Sequence, residues 1–173
     1  PYQKVRIDVI AGETDSPTLR RLNPRAQVPV LVDGEQVIWD SMAILVYLAR
    51  RAGAVDWLPD DAFGQAQVMQ WLAVAENELQ YGLARARSIF VLGRPFDLET
   101  CHRDARAGLD ALEHRLSAAA WLALDRPTLA DLACYPYVAL ADQAKLSLDP
   151  YPAVQAWLAR LETLPGWEPM LPG

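Results

Sequence analysis

Cysteine, histidine and positive charge are all scarce in this chain, and each scarcity removes a class of function. Two cysteines, Cys101 and Cys134, are too few for a disulfide framework and fit a reduced, cytoplasmic protein. The two histidines, His102 and His114, fall on one predicted helix but about a third of a turn out of phase, so they are not placed to share a metal ion. Both are expected to be exposed, and no metal site is predicted. With a formal net charge of −6 the chain lacks the basic stripe that nucleic acid requires, and the pairs Arg20-Arg21 and Arg50-Arg51 read as solvated helix edges. No apolar run approaches the roughly 18 residues of a membrane span, and no signal-peptide pattern precedes the first strand-like segment. Internal repeats and low-complexity segments are missing too.

What the chain does have is patterning. At 173 residues, 52% hydrophobic and 22% charged, it is long enough for one or two compact domains of ordinary soluble composition. Val5 to Ile10 alternates in part and is bounded by Gly12, which predicts a strand. Ser16 to Leu22 predicts a short helix with Pro17 at its first position, ending near Asn23-Pro24. Val30 to Val32 and Gln36 to Trp39 predict a hairpin around Asp33-Gly34. Met42 to Arg51 is apolar on most sides, through Ile44, Leu45, Val46 and Leu48, and predicts a buried helix ended by Gly53. Residues 53–60, with Pro59, read as a linker.

From Asp61 onward every periodic segment is helical. A long helix is predicted over Ala62–Leu92, stopped by Gly93-Arg94-Pro95. A second opens at Asp97 with Leu98, Cys101, Ala105, Leu109, Leu112 and Leu116 on one face. A third begins at Thr128, with Asp131 bonding back in a capping box. A last one carries Val154, Trp157, Leu158 and Leu161 and ends at Pro165-Gly166. The expected architecture is α/β followed by all-α, with a small unit over residues 1–52 and an all-helical domain over 61–173.

One short stretch concentrates the binding chemistry. Pro29 opens a strand, one of the few sheet positions that tolerate proline, and a cis Val28-Pro29 bond is expected there. Such a bond would turn the backbone groups of Val28 out of the ladder, free for a ligand. Asp40-Ser41 would place unpaired N–H groups at a helix start, suited to a carboxylate. Together they predict a small, acidic, peptide-like ligand. Ser41 by itself would read as a simple helix cap.

The runs Asn23-Pro24-Arg25-Ala26-Gln27-Val28-Pro29-Val30-Leu31 and Asp40-Ser41-Met42-Ala43-Ile44-Leu45-Val46-Tyr47-Leu48, supported by Thr128-Leu129-Ala130-Asp131, make the chain resemble the soluble glutathione transferase family over nearly its whole length. The resemblance implies a thioredoxin-like N-terminal domain, a helical-bundle C-terminal domain and a homodimer, with Met42, Val46 and the early turns of the long helix as candidate contacts. It implies that the main chain of Val28, beside cis-Pro29, bonds the cysteinyl part of glutathione. Ser41 would hold the γ-glutamyl carboxylate and Asp40 would help hold the same end. A carboxylate at such a helix start gains about 0.3–1 kcal/mol from the dipole. Three positions depart from the family pattern. Asp40 stands where a longer Glu or Gln is usual, Gln27, in the same candidate glutathione site, replaces a frequent basic residue, and Ala26 replaces a usual glycine.

The implied reaction is attack of the glutathione thiolate on a hydrophobic electrophile received between the two domains. The alternatives are a glutathione-dependent isomerase of the maleylacetoacetate kind, a dehalogenase, or a non-catalytic binding or regulatory module of the same fold. The family's first strand and helix, and with them the Tyr, Ser or Cys that activates the thiol, would precede Pro1. The chain is therefore expected to be an N-terminally truncated form lacking roughly two dozen residues, with its catalytic residue upstream of Pro1.

Two further groups of residues carry competing readings. Cys101 and Cys134 could be nucleophiles, but the apolar helix face bearing Cys134 points to core packing. Asn77, Tyr81 and Arg85 make an i, i+4, i+8 polar row on the long helix. The row reads as a solvated or dimer-facing stripe or, by the resemblance, as part of the electrophile pocket.

Overall fold

Pro17 stands at the first position of α1 (Pro17–Leu22), and the Ser16 hydroxyl caps that helix by accepting from the Leu19 N–H at 3.3 Å. The computed structural model describes residues 2–170, and the chain divides into two compact units between Ala52 and Gly53. In the first unit, β1 (Val30–Asp33) and β2 (Gln36–Trp39) form an antiparallel pair in the register Val30↔Trp39 to Asp33↔Gln36. The two loop residues are therefore Gly34-Glu35, not Asp33-Gly34 as expected. Gly34 takes φ +62° at the first central position, where a type II′ turn requires a positive angle and Asp33 has no need of one.

The helix α2 (Ser41–Arg51) lies against this hairpin. Its Tyr47 hydroxyl lies 2.7 Å from Asp33 Oδ2 and 2.8 Å from Gln36 Oε1, and Arg51 pairs with the same Asp33 carboxylate at 2.6 Å. The hydrogen bond to Asp33 raises the Tyr47 hydroxyl above the ordinary phenol value. The expectation of a buried α2 fails. Only Ala49 on it is buried and Leu48 is exposed, because a two-stranded ribbon is too narrow to cover more than one side of a helix.

Val5–Ile10 is not a strand. Among the described residues nothing pairs with it, and Asp8 captures the backbone in a turn instead. The Asp8 carboxylate accepts from Ile10 N–H and Ala11 N–H, both at 2.9 Å, and the Asp8 carbonyl accepts from Glu13 N–H at 3.0 Å. Such local side-chain bonds compete directly with a ladder.

The second unit is helical throughout. Segment 53–60 is packed rather than free, with Leu58 and Pro59 buried and the Trp57 carbonyl accepting from Leu129 N–H at 3.0 Å. The expected long helix is present but not uniform. It runs as α3 (Ala62–Val74), a π-helical stretch (Ala75–Ala84) and α4 (Arg85–Leu92). The widened stretch packs against α5 (Leu98–Leu116), and the approach is close: a Cβ on Gly82 would run into the Ala105 backbone, and one on Gly108 would come within 2.8 Å of Leu79. Periodicity missed the π turns because α and π geometry place the same small and apolar residues inward over a short run.

Two more helices complete the unit, α6 (Leu129–Ala139) and α7 (Pro152–Leu161), the latter ending well before Pro165-Gly166. The core holds Val68, Leu79, Leu83, Leu109, Leu112, Val138, Val154, Trp157 and Leu161, all fully buried. Asp131 sits within it and completes the capping box expected with Thr128. Its Oδ2 accepts from Thr128 N–H at 2.9 Å and its Oδ1 from Trp157 Nε1 at 2.9 Å and Leu122 N–H at 3.1 Å. Glu113 of α5 performs the equivalent service for α7, accepting from Ala153 and Val154 N–H groups at 3.0 and 2.9 Å. No helix among the described residues is long and apolar enough to cross a membrane.

Candidate functional site

The register of the hairpin decides what comes together at one end of the first unit. Val30 pairs with Trp39, so Val28 lies just before the ladder and Asp40-Ser41 just after it, at the same end. The Val28-Pro29 bond is cis. Val28 has no partner in the ladder and is 42% exposed. Ser41 is the first residue of α2 and half-buried, and its N–H is one of those that no intrahelical carbonyl can reach. Asp40 is the N-cap, with Oδ1 accepting from Met42 N–H at 3.0 Å. Gln27 is exposed, and its carbonyl is already engaged within the loop.

Two residues of the motif that were not singled out organise this end. Asn23 is buried, and its amide bridges the loop: Nδ2 donates to the Gln27 carbonyl at 2.8 Å while Oδ1 accepts from Arg25 N–H at 3.0 Å. The loop is thus held shut by one side chain acting as a surrogate strand partner. Arg25 in turn reaches Asp40 Oδ2 at 3.4 Å and lies over the Trp39 ring at 5.8 Å. A cation therefore stands beside Asp40 even though Gln27 carries none. The signal for Asn23 was its polar side chain directly after a helix end, where capping and loop bonds are common. Nothing in the sequence alone pointed from Arg25 to Asp40, which requires the hairpin register.

The cysteines are not part of any reactive centre. Cys134 is completely buried, which pushes its thiol well above the ordinary value, and its Sγ donates to the Trp71 carbonyl at 3.6 Å. Cys101 is 3% exposed and is raised by burial too, with the Arg85 charge pulling modestly the other way. A nucleophilic thiol needs the reverse of both conditions. His102 is not exposed as expected but half-buried, with Nε2 at 2.8 Å from the Ala144 carbonyl, because α5 turns that face toward the segment after α6. Among the described residues no group of His, Cys, Asp and Glu is placed to hold a metal ion.

The polar row on the long helix separates into two behaviours. Asn77 turns back on its own helix, Nδ2 donating to the Ala73 carbonyl at 2.9 Å. Tyr81 and Arg85 stay together, the guanidinium 3.8 Å from the Tyr81 ring centroid, and Phe96 joins them at 4.9 Å. Phe96 lies beyond the Gly93-Arg94-Pro95 break, so only the tertiary fold brings it in.

Comparison with known proteins bears on the family and the fold. The family model described as the glutathione S-transferase N-terminal domain matches residues 1–50, and that of the C-terminal domain matches residues 74–165. Glutathione S-transferase F10 of Arabidopsis thaliana is 30% identical over 180 residues, covering 96% of this chain and 83% of that protein. A solved structure of a possible glutathione S-transferase from Rhodopseudomonas palustris matches with a TM-score of 0.88 at 31% identity, over 98% of this chain and 87% of the other. A glutathione transferase homologue from Drosophila mojavensis, solved with bound glutathione, matches with a TM-score of 0.81 at 26% identity, over 92% of this chain and 74% of the other. With a reduced thioredoxin-like region of few strands followed by a helical domain, this chain belongs to the glutathione S-transferase family.

Proposed function

We propose that the chain binds glutathione at the end of the hairpin and serves its conjugation to hydrophobic electrophiles. The observation that carries this reading is the register, which sets the unpaired main chain of Val28 beside the helix start at Asp40-Ser41. In this reading the Val28 backbone bonds the cysteinyl peptide of glutathione as a short strand would. The γ-glutamyl carboxylate meets the Ser41 N–H and hydroxyl at the positive end of α2. Asp40 faces the γ-glutamyl ammonium, with Gln27 at the rim, and Arg25 holds the Asp40 carboxylate in place. The electrophile is received along the helix that carries Tyr81 and Arg85.

The reaction balances simply. The glutathione thiol loses its proton to solvent, the thiolate forms a C–S bond at the electrophilic carbon, and the leaving group departs with the bonding pair. The same proposal includes assembly as a homodimer, with Met42 and Val46 of α2 among the contacts. Light scattering is expected to give the mass of two chains, and the mass of one would refute that part.

Calorimetry with reduced glutathione tests the binding claim. Ser41→Ala is expected to weaken affinity about tenfold, the worth of one hydrogen bond to a charged group. No heat of binding at millimolar glutathione would overturn the proposal. Binding without formation of the thioether from 1-chloro-2,4-dinitrobenzene would reduce it to a non-catalytic glutathione-binding role.

A further inference from the structure

Five arginines of the helical unit are half-buried: Arg85, Arg87, Arg115, Arg126 and Arg160. Four of them have at least one guanidinium N–H met by a protein acceptor. Arg87 donates to Gln143 at 2.6 Å, Arg115 to the Trp121 and Leu122 carbonyls at 3.1 and 2.8 Å, Arg126 to the Asp56 carbonyl at 3.1 Å and Arg160 to the Ala120 carbonyl at 2.8 Å. Arg85 differs. Among the described residues its guanidinium meets no carboxylate, carbonyl or amide, only the ring faces of Tyr81 and Phe96.

That arrangement leaves a specific part of the group unused. Ring faces attract the charge of a guanidinium but cannot accept its in-plane N–H bonds in place of an oxygen. Solvent meets those N–H groups at a half-buried position, and a docking oxyanion exchanges that water for a charge-assisted pair. The two rings also fix the guanidinium, which lowers the entropy lost when a planar oxyanion docks on its edge. Asp97, next to Phe96, forms no ion pair with Arg85 among the described residues, and its Oδ2 caps α5 by accepting from Thr100 N–H at 2.7 Å. Tyr81 and Phe96 are themselves 44% and 40% exposed, so an apolar surface flanks the open donors. The π-helical stretch ends directly at Arg85, and such widened turns recur at functional positions.

We propose that Arg85 is a specificity residue that selects electrophiles carrying a carboxylate, or an equivalent oxyanion, on an aromatic or other apolar body. The oxyanion takes the free edge of the guanidinium and the apolar body lies against Tyr81 and Phe96. This inference rests on the reading that the helical unit receives the electrophile of a glutathione transferase. It adds the chemical class of that electrophile.

The test uses the full chain and a matched pair of ligands, 4-chloro-3-nitrobenzoate and its uncharged amide, with dissociation constants measured by calorimetry. The acid is expected to bind about tenfold more tightly than the amide, as one charge-assisted pair at a half-buried site would give. Added salt should shrink that preference. Arg85→Met, which keeps most of the volume, is expected to erase it, and Arg85→Lys, which keeps the charge and loses the fork, to retain only part. Equal affinity for acid and amide in the unaltered chain, or a preference that survives in Arg85→Met, would overturn the inference. Glutathione titrated separately keeps the two readings apart. Normal glutathione binding with no acid preference removes the inference alone. An Arg85-dependent acid preference without glutathione binding keeps the anion site and removes the transferase reading.

Discussion

In the helical unit the buried side chains run from Leu58 to Leu161 and include Trp157, Leu79, Leu83, Leu109 and Leu112, whereas among the described residues of the N-terminal unit they are Leu19, Asn23 and Ala49. Each fully buried leucine or tryptophan contributes about 1.5–3 kcal/mol, so apolar packing alone can order the helices. The N-terminal unit has no such reserve. Its loop, hairpin and helix are tied by side-chain hydrogen bonds: Asn23 across the loop, Asp40 at the α2 cap, Tyr47 and Arg51 onto Asp33. A region that must present backbone groups to a ligand cannot bury them, and polar ties let it hold a shape while leaving those groups accessible. The helical unit inverts the pattern, with one carboxylate, Asp131, enclosed by hydrocarbon.

The comparison is most exposed at Asp131. Asp131→Ala would strand four buried donors, Leu122 N–H, Thr128 N–H, the Thr128 hydroxyl and Trp157 Nε1, and should destabilise the helical unit by about 3–5 kcal/mol in urea unfolding followed by tryptophan fluorescence. A loss under about 1 kcal/mol would show that the apolar core suffices without its acid. The pH dependence carries a sign of its own. Burial raises the folded-state pKa of Asp131 above its unfolded value, although the donors around it pull downward. Between those two values the folded state holds the extra proton, so this contribution is fully present below the unfolded pKa and fades as pH rises through the folded one. The stability of the unaltered chain minus that of Asp131→Asn should therefore grow as pH is lowered from neutral toward 4.

Gly82 is the next most sensitive position. A methyl group there meets the Ala105 backbone, which cannot swing aside as a side chain would, so Gly82→Ala should cost about 1–3 kcal/mol by forcing α5 away from the π-helical stretch. If instead the widened turns relax to α geometry and absorb the methyl, circular dichroism and the urea midpoint will stay near those of the unaltered chain. That outcome would make the π stretch a consequence of the glycine contact rather than of the surrounding packing.

In the N-terminal unit the corresponding test is Asn23→Ala. Two loop bonds disappear, but their partners, Arg25 N–H and the Gln27 carbonyl, belong to exposed residues that water can reach, so the expected cost is about 1–2 kcal/mol. Its effect on glutathione affinity, read by calorimetry, should exceed that of any apolar substitution of similar thermal cost in the helical unit. Equal effects would mean that the polar ties hold the fold and do not shape the site.

These differences also explain what could be read in advance. The helical unit was legible nearly element by element, because caps such as Asp97 and Thr128-Asp131 and the spacing of Leu109, Leu112 and Leu116 are local signals. Its π stretch was not, since α and π geometry turn the same small and apolar residues inward over so short a run. In the N-terminal unit the cis Val28-Pro29 bond and the start of α2 were readable from proline placement and a capping residue. Val5–Ile10 was misread because alternation predicts a strand only where a partner exists, and Asp8 offered the backbone a nearer one. Arg25 over Trp39 and beside Asp40 needs the hairpin register, and Phe96 against Arg85 needs the turn after Leu92.

The smallest expected effect concerns backbone conformation rather than contacts. Among the described residues three non-glycine residues have positive φ; Asp40 at 81° belongs to the candidate glutathione site and Ala26 at 52° lies beside it in the chain. An L-residue held there is strained by about 1–2 kcal/mol, part of which glycine relieves while paying more entropy in the unfolded chain. Ala26→Gly should therefore stabilise the N-terminal unit by about 0.5–1 kcal/mol in urea unfolding. Because the Ala26 methyl is not among the groups proposed to touch glutathione, affinity should stay within about twofold of the starting value. Asp40→Gly relieves strain of the same kind but removes the α2 cap and the partner of Arg25, so it should lose both stability and binding. Opposite outcomes at two positions with the same backbone sign would show that the strain at Asp40 accompanies its function, while the strain at Ala26 is incidental. Parallel outcomes would assign both to the loop alone.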